Sequence, residues 1–131
     1  MKKTLLIALG MICCGVLAGV VLATVPIHTS EAVASRPGAV SAADAGSYIG
    51  RSITVEGVVS EVHIAERAIF IDIGGRYPDQ KFTGVVFAQD SHAFPDLREL
   101  EGTTVDISGV VRIYRGRPEI ILRSADQIRR R

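Results

Sequence analysis

Residues 53–63, ITVEGVVSEVH, and residues 69–75, IFIDIGG, decide how this chain folds. In the first stretch Ile53, Val55, Gly57 and Val59 alternate with Thr54, Glu56, Val58 and Ser60, the period of two that marks a strand with one buried face. Gly57 falls mid-strand, where such a strand bends or bulges. In the second stretch Ile69, Ile71 and Ile73 alternate with Phe70 and Asp72, so one face is aliphatic and the other carries an aromatic and an acid. Gly74-Gly75 ends it.

Outward from these two strands the same pattern repeats. A third strand spans residues 82–88, after a loop holding Arg76, Tyr77, Pro78 and Lys81. Residues 89–102 form a polar connection in which Leu97 and Leu100, at i and i+3, mark a short helix. The fourth strand carries Val105, Ile107, Gly109, Val111 and Ile113 at period two. The fifth, residues 119–123, is reached through a tight turn at Arg115-Gly116-Arg117-Pro118, where Gly116 supplies a positive φ and Pro118 ends the turn. Upstream, residues 41–48 read as a helical turn capped by Ser41 and stopped at Gly50. Five short strands, a short helix between the third and fourth, and glycines inside the two long strands predict an all-β, five-stranded Greek-key barrel.

The N-terminus has a different character. Lys2-Lys3 precede an uncharged run over residues 4–25, TLLIALGMICCGVLAGVVLATV, which ends at Pro26 in the layout of a secretory signal. The run also has the length of a membrane span, for which about 20 apolar residues suffice, and it contains the spacing Gly15-x-x-x-Gly19. Residues 1–25 are therefore expected to be a signal peptide or signal anchor. Residues 26–42, with Arg36-Pro37-Gly38, read as a flexible linker, and 43–131 as the folded domain. The expected location is extracytoplasmic: periplasmic and soluble after cleavage, or held in the inner membrane through residues 4–25. Both cysteines, Cys13 and Cys14, lie in the apolar run, so the expected domain has no disulfide and depends on its core.

Discounting Lys2 and Lys3 leaves 13 basic residues against 14 acidic ones. Residues 102–131 hold seven arginines against Asp106, Glu119 and Asp126, whereas residues 24–101 are acidic on balance. One basic end on a nearly neutral domain is not the strongly basic balance of a typical nucleic-acid binder.

The segments Val55-Glu56-Gly57-Val58-Val59, Ile69-Phe70-Ile71-Asp72-Ile73-Gly74 and Gly84-Val85-Val86-Phe87 resemble the opening three strands of OB-fold nucleic-acid-binding domains of the transfer-RNA anticodon-binding type. Residues 105–109 with Tyr114-Arg115-Gly116-Arg117-Pro118-Glu119-Ile120-Ile121-Leu122 are similar to the closing hairpin of small bacterial OB-fold proteins. The resemblance covers about residues 50–128 and implies that Phe70 stacks on a base. The alternation of the strand agrees, because Phe70 lies out of phase with the isoleucines and projects from the face that OB barrels use for binding. Arg112, Arg115 and Arg117 sit in or beside the loop that flanks such a groove, where guanidinium groups suit phosphates or carboxylates. The expected ligand-binding set is Phe70, Asp72, Lys81, Phe87, Arg112, Tyr114, Arg115 and Arg117. Its expected ligand is single-stranded DNA or RNA or another anionic oligomer. A second resemblance, to periplasmic OB-fold proteins, implies instead a small ligand, cation, glycan or envelope protein partner. Residues 129–131, three arginines, read as a frayed tail.

Catalytic and metal patterns are thin. His28, His63 and His92 are widely spaced, and no cysteine accompanies them in the domain, so no metal site and no cofactor are expected. Asp90-Ser91-His92 are neighbours in a loop, whereas nucleophilic catalysis needs such groups to converge in space. A binding module rather than an enzyme is the expectation.

Overall fold

A computed structural model describes residues 38–131. The expected signal or anchor segment, and most of the expected linker, lie outside the described residues. Among the described residues no helix is long and apolar enough to cross a membrane.

The β-branched runs form strands, and seven are present: β1 Ala39–Ser41, β2 Ser52–Ile64, β3 Ala68–Ile73, β4 Phe82–Phe87, β5 Thr104–Tyr114, β6 Arg117–Leu122 and β7 Ile128–Arg130. Five of them close a ring. β2 pairs antiparallel with β3 and with β5, β3 with β4, β5 with β6, and β4 completes the circuit by running parallel to β6. The two long strands make closure possible because each belongs to two parts of the ring. Residues 52–58 of β2 face β5 and residues 59–64 face β3, while residues 104–110 of β5 face β2 and residues 111–114 face β6.

The mid-strand glycines stand close to these switches. A Cβ on Gly57 would collide with the Cγ2 methyl of Ile73, and one on Gly109 would lie 2.6 Å from Cγ2 of Ile120. Both positions bring backbone against a core methyl group, which only glycine allows. The bulge itself falls elsewhere than at Gly57. The register of β2 against β3 slips between Val59 and Glu61, and Ser60 Oγ accepts a hydrogen bond from Gly75 N at 3.0 Å there. Past this slip Val62 is buried where strict alternation from Val59 would bury Glu61.

Inside the ring Val55, Val59, Ile71, Ile73, Phe82, Val86, Val105, Ile107, Ile120 and Leu122 are fully buried. A 3-10 helix over Ala42–Tyr48 closes one opening with Ala42 and Ala45. Its cap is Ser41, whose side chain accepts from Asp44 N, as the sequence indicates. The expected helix between the third and fourth ring strands is two 3-10 turns, Ala88–Ala93 and Leu97–Leu100. Three residues per turn place Leu97 and Leu100 on one edge, and both pack on the core.

Three expectations need correction. The β5–β6 turn is the two-residue pair Arg115-Gly116, with φ of 49° and 77° and hence the mirror-image hairpin geometry, while Arg117 and Pro118 already belong to β6. Pro118 opposes Ile113, ahead of the β4 ladder that begins at Glu119, so its missing N–H breaks no pairing. Ala39–Ser41, placed in the linker by composition, is a strand parallel to residues 54–56. The arginine tail is not frayed: β7 pairs with residues 105–107 of β5, and Arg131 bridges Glu56 at 3.0 Å and Asp106 at 3.1 Å.

Candidate functional site

Two cavities stand out among the described residues. The smaller, about 330 Å³, lies beside β7 and is lined by short polar groups together with Asp106, Asp126, Arg129 and Arg131. The larger is a groove of about 650 Å³ on the outer face of β2 and β3, walled by the 74–81 loop and the β5–β6 hairpin.

The groove is built from period two. Phe70 and Asp72 alternate with the buried Ile71 and Ile73, so both turn away from the core and form its floor. Glu61 and His63 reach the same face because the slip at Ser60 reverses the alternation of β2; they pair with Asp72 and Phe70 respectively. The His63 and Phe70 rings stack with centroids 6.2 Å apart and planes 26° from parallel. Tyr77, on the loop, and Tyr114, at the end of β5, are 72% and 52% exposed and stand at the rim. The Arg115 guanidinium lies over the Tyr114 ring at 5.3 Å.

A hydrogen-bonded chain runs through the floor. Gln80 Nε2 donates to Thr83 Oγ1 at 3.4 Å, and Thr83 Oγ1 donates to Asp72 Oδ1 at 3.0 Å. Arg117 Nη1 donates to the Gln80 carbonyl at 2.8 Å, which ties the hairpin to the loop. Burial pushes the Asp72 carboxyl above its ordinary range and the Glu61 charge adds to this; the Thr83 hydrogen bond, His63 and Arg117 pull the other way. Burial also raises Glu119, against the attraction of Arg112.

Of the expected ligand-binding residues, Phe70, Asp72, Tyr114, Arg115 and Arg117 converge on the groove. Three do not line it. Lys81 packs its side chain over Gly74, and its backbone N–H donates to the Ile73 carbonyl at 3.0 Å. Phe87 lies at the far end of β4, opposite Ala68. Arg112 faces Glu119 across the β5–β6 ladder. Sequence reading missed Glu61, His63, Tyr77, Pro78, Gln80, Thr83, Pro118 and Glu119 as lining residues. Continued past Gly57, the alternation puts Glu61 and His63 on the core side, and only the Ser60 slip places them correctly. Tyr77 and Pro78 carried the one available signal, an aromatic-proline pair in a loop after a glycine stop.

Asp90, Ser91 and His92 share a 3-10 turn in which Ser91 Oγ donates to the Ala88 carbonyl at 2.8 Å. Among the described residues no group of three His, Cys, Asp or Glu side chains is arranged to hold a metal ion.

No protein-family model and no curated protein matches the sequence. Solved structures similar to this chain include the OBody AM1L10 bound to hen egg-white lysozyme, at 20% identity over 65% of this chain and 83% of that one, with a TM-score of 0.49. Another is a Leishmania major Friedlin protein assigned as an aspartyl-tRNA synthetase, at 8% identity over 76% of this chain and 22% of that one, with a TM-score of 0.48.

Proposed function

We propose that the five-strand ring is an OB barrel and that the chain is an exported binding module whose groove takes single-stranded nucleic acid or another anionic oligomer. The fold reading rests on the circuit β2-β3-β4-β6-β5-β2, with its one parallel pair and its switching long strands. In such barrels ligands bind across the second and third ring strands, beside the loop joining the fourth and fifth. The groove shares with that place the second ring strand β3, Thr83 of the third and the β5–β6 hairpin, and it extends onto β2. The single observation carrying the ligand reading is the composition of its walls: the stacked His63–Phe70 pair and two exposed tyrosines, with Arg115 and Arg117 at the hairpin. Exposed rings stack on bases without regard to sequence, and guanidinium groups at the rim attract phosphates.

Anisotropy of a labelled oligonucleotide titrated with the full-length protein at two salt concentrations tests this. Phe70→Ala is expected to cost about 1–3 kcal/mol of binding, the worth of one stacked base. Arg115→Ala should flatten the salt dependence by about 0.7 on the double-logarithmic slope. No binding at low salt overturns the reading.

One observation favours a second reading. Glu61, Asp72 and Glu119 all line the groove, and carboxylates repel phosphates while accepting hydrogen bonds from hydroxyl groups. A glycan or a small polyhydroxy ligand fits that feature, and its binding would be insensitive to salt. Export rests on the apolar segment over residues 4–25. Intact mass of the protein recovered from the producing cell distinguishes a cleaved signal from a retained anchor.

A further inference from the structure

The floor of the groove is polarised. Thr83 has one hydroxyl hydrogen and gives it to Asp72, so the contact from Gln80 must come from the amide nitrogen. That fixes the orientation of the Gln80 amide and leaves Oε1 as the other end of the chain. Gln80 Oε1 is buried and has no hydrogen-bond partner among the described residues. Gln80 and Asp72 are 6% and 3% exposed and both line the groove. The floor beside the His63–Phe70 rings is therefore built from acceptors, the charged Asp72 carboxylate and the Gln80 Oε1, which is shielded from solvent and without a partner. A buried acceptor without a partner is costly, and a donor on an occupant that the Gln80 side chain turns to meet would recover that cost.

We propose that this floor selects nucleobases carrying an exocyclic amino group over those presenting carbonyl oxygens, with Asp72 and Gln80 as the specificity-determining residues. The inference rests on the nucleic-acid reading above. Cytosine and thymine separate the effect well, because both are single-ring pyrimidines that stack alike. Cytosine offers an N4 amino group where thymine has the O4 carbonyl. Set against the Asp72 carboxylate, the amino group makes a charge-assisted hydrogen bond and the carbonyl is repelled.

The test compares anisotropy titrations of the full-length protein with labelled oligo-dC and oligo-dT of equal length near neutral pH. Oligo-dC should bind roughly tenfold more tightly, the equivalent of one hydrogen bond to a charged acceptor. Asp72→Asn, which places an amide donor at the floor, and Gln80→Met, which removes the orphan acceptor, should each bring the two affinities within about twofold. Retained oligo-dT binding in both variants shows that the fold and the stacking platform survive. Equal affinities for oligo-dC and oligo-dT in the unsubstituted protein overturn the inference while leaving the binding reading intact, and so does a preference that both variants keep. Failure of both oligomers to bind at low salt overturns both.

Discussion

At the scale of single residues, Asp72 shows most directly how stability and the proposed binding pull against each other. The aliphatic alternation of IFIDIGG places it opposite the core, yet the 74–81 loop and the hairpin bury it. Its carboxyl titrates above the unfolded value near 3.8, chiefly because burial disfavours the charge. A group raised in this way contributes full stability while protonated, below the unfolded value, and loses that contribution as pH climbs through its folded value. Asp72→Asn keeps an oxygen for Thr83 and removes the charge. Thermal unfolding should show the variant more stable than the parent near about pH 7, with the gain gone near about pH 3 where both are neutral. Gly57 makes the opposite point, since a side chain there must displace the Ile73 methyl. Gly57→Ala should cost about 1–3 kcal/mol in urea unfolding, the usual penalty of overpacking a core. Phe70 and Asp72 were legible because they sit in an unbroken alternation. Lys81, Phe87 and Arg112 lie off the groove: charge or aromaticity near a strand end does not say which way the strand end points.

At the scale of elements, the strands with a clear period of two were all recognisable, and the errors lie where a register change or a short edge decided the outcome. The slip at Ser60 moves Glu61 and His63 to the groove, and nothing in the residues SEVH announces it. β1 and β7 are three residues each, too short for periodicity to register, and the arginines of β7 read as solvent-loving. Their pairing reflects tertiary context: Glu56 and Asp106 face each other on β2 and β5 and need a cation, which Arg131 supplies. The side chain of Glu56 is 5% exposed, so removing its partner strands a buried charge. Arg131→Ala should lower stability by roughly 1–3 kcal/mol in denaturant unfolding, the cost of leaving the buried Glu56 charge without a countercharge. Adding Glu56→Gln should restore part of the loss, because a neutral amide no longer calls for a cation. A double variant as unstable as the single one would show that the ion pair is not what anchors β7. Charged edges at β7 also discourage pairing with a second chain.

At the scale of the whole molecule, closure of the ring builds the groove. Two long strands that each pair with two neighbours curl the sheet, and the curl leaves one outer face bordered by a loop and a hairpin on which aromatic, acidic and guanidinium groups meet. Composition alone foresaw the ring through its strand count and mid-strand glycines, and foresaw a basic end through the C-terminal arginines. It did not foresee that those arginines divide between two tasks: Arg115 and Arg117 serve the groove, while Arg131 neutralises acids on another face. The basic end therefore presents less free positive charge to a ligand than its residue count suggests, and the proposed recognition leans on the rings. Ultraviolet crosslinking of single-stranded oligonucleotide to the full-length protein, followed by mass spectrometry of the adducts, tests this most directly. The account predicts adducts at Phe70, Tyr77 and Tyr114. Adducts confined to residues 129–131, or none at low salt, would contradict it.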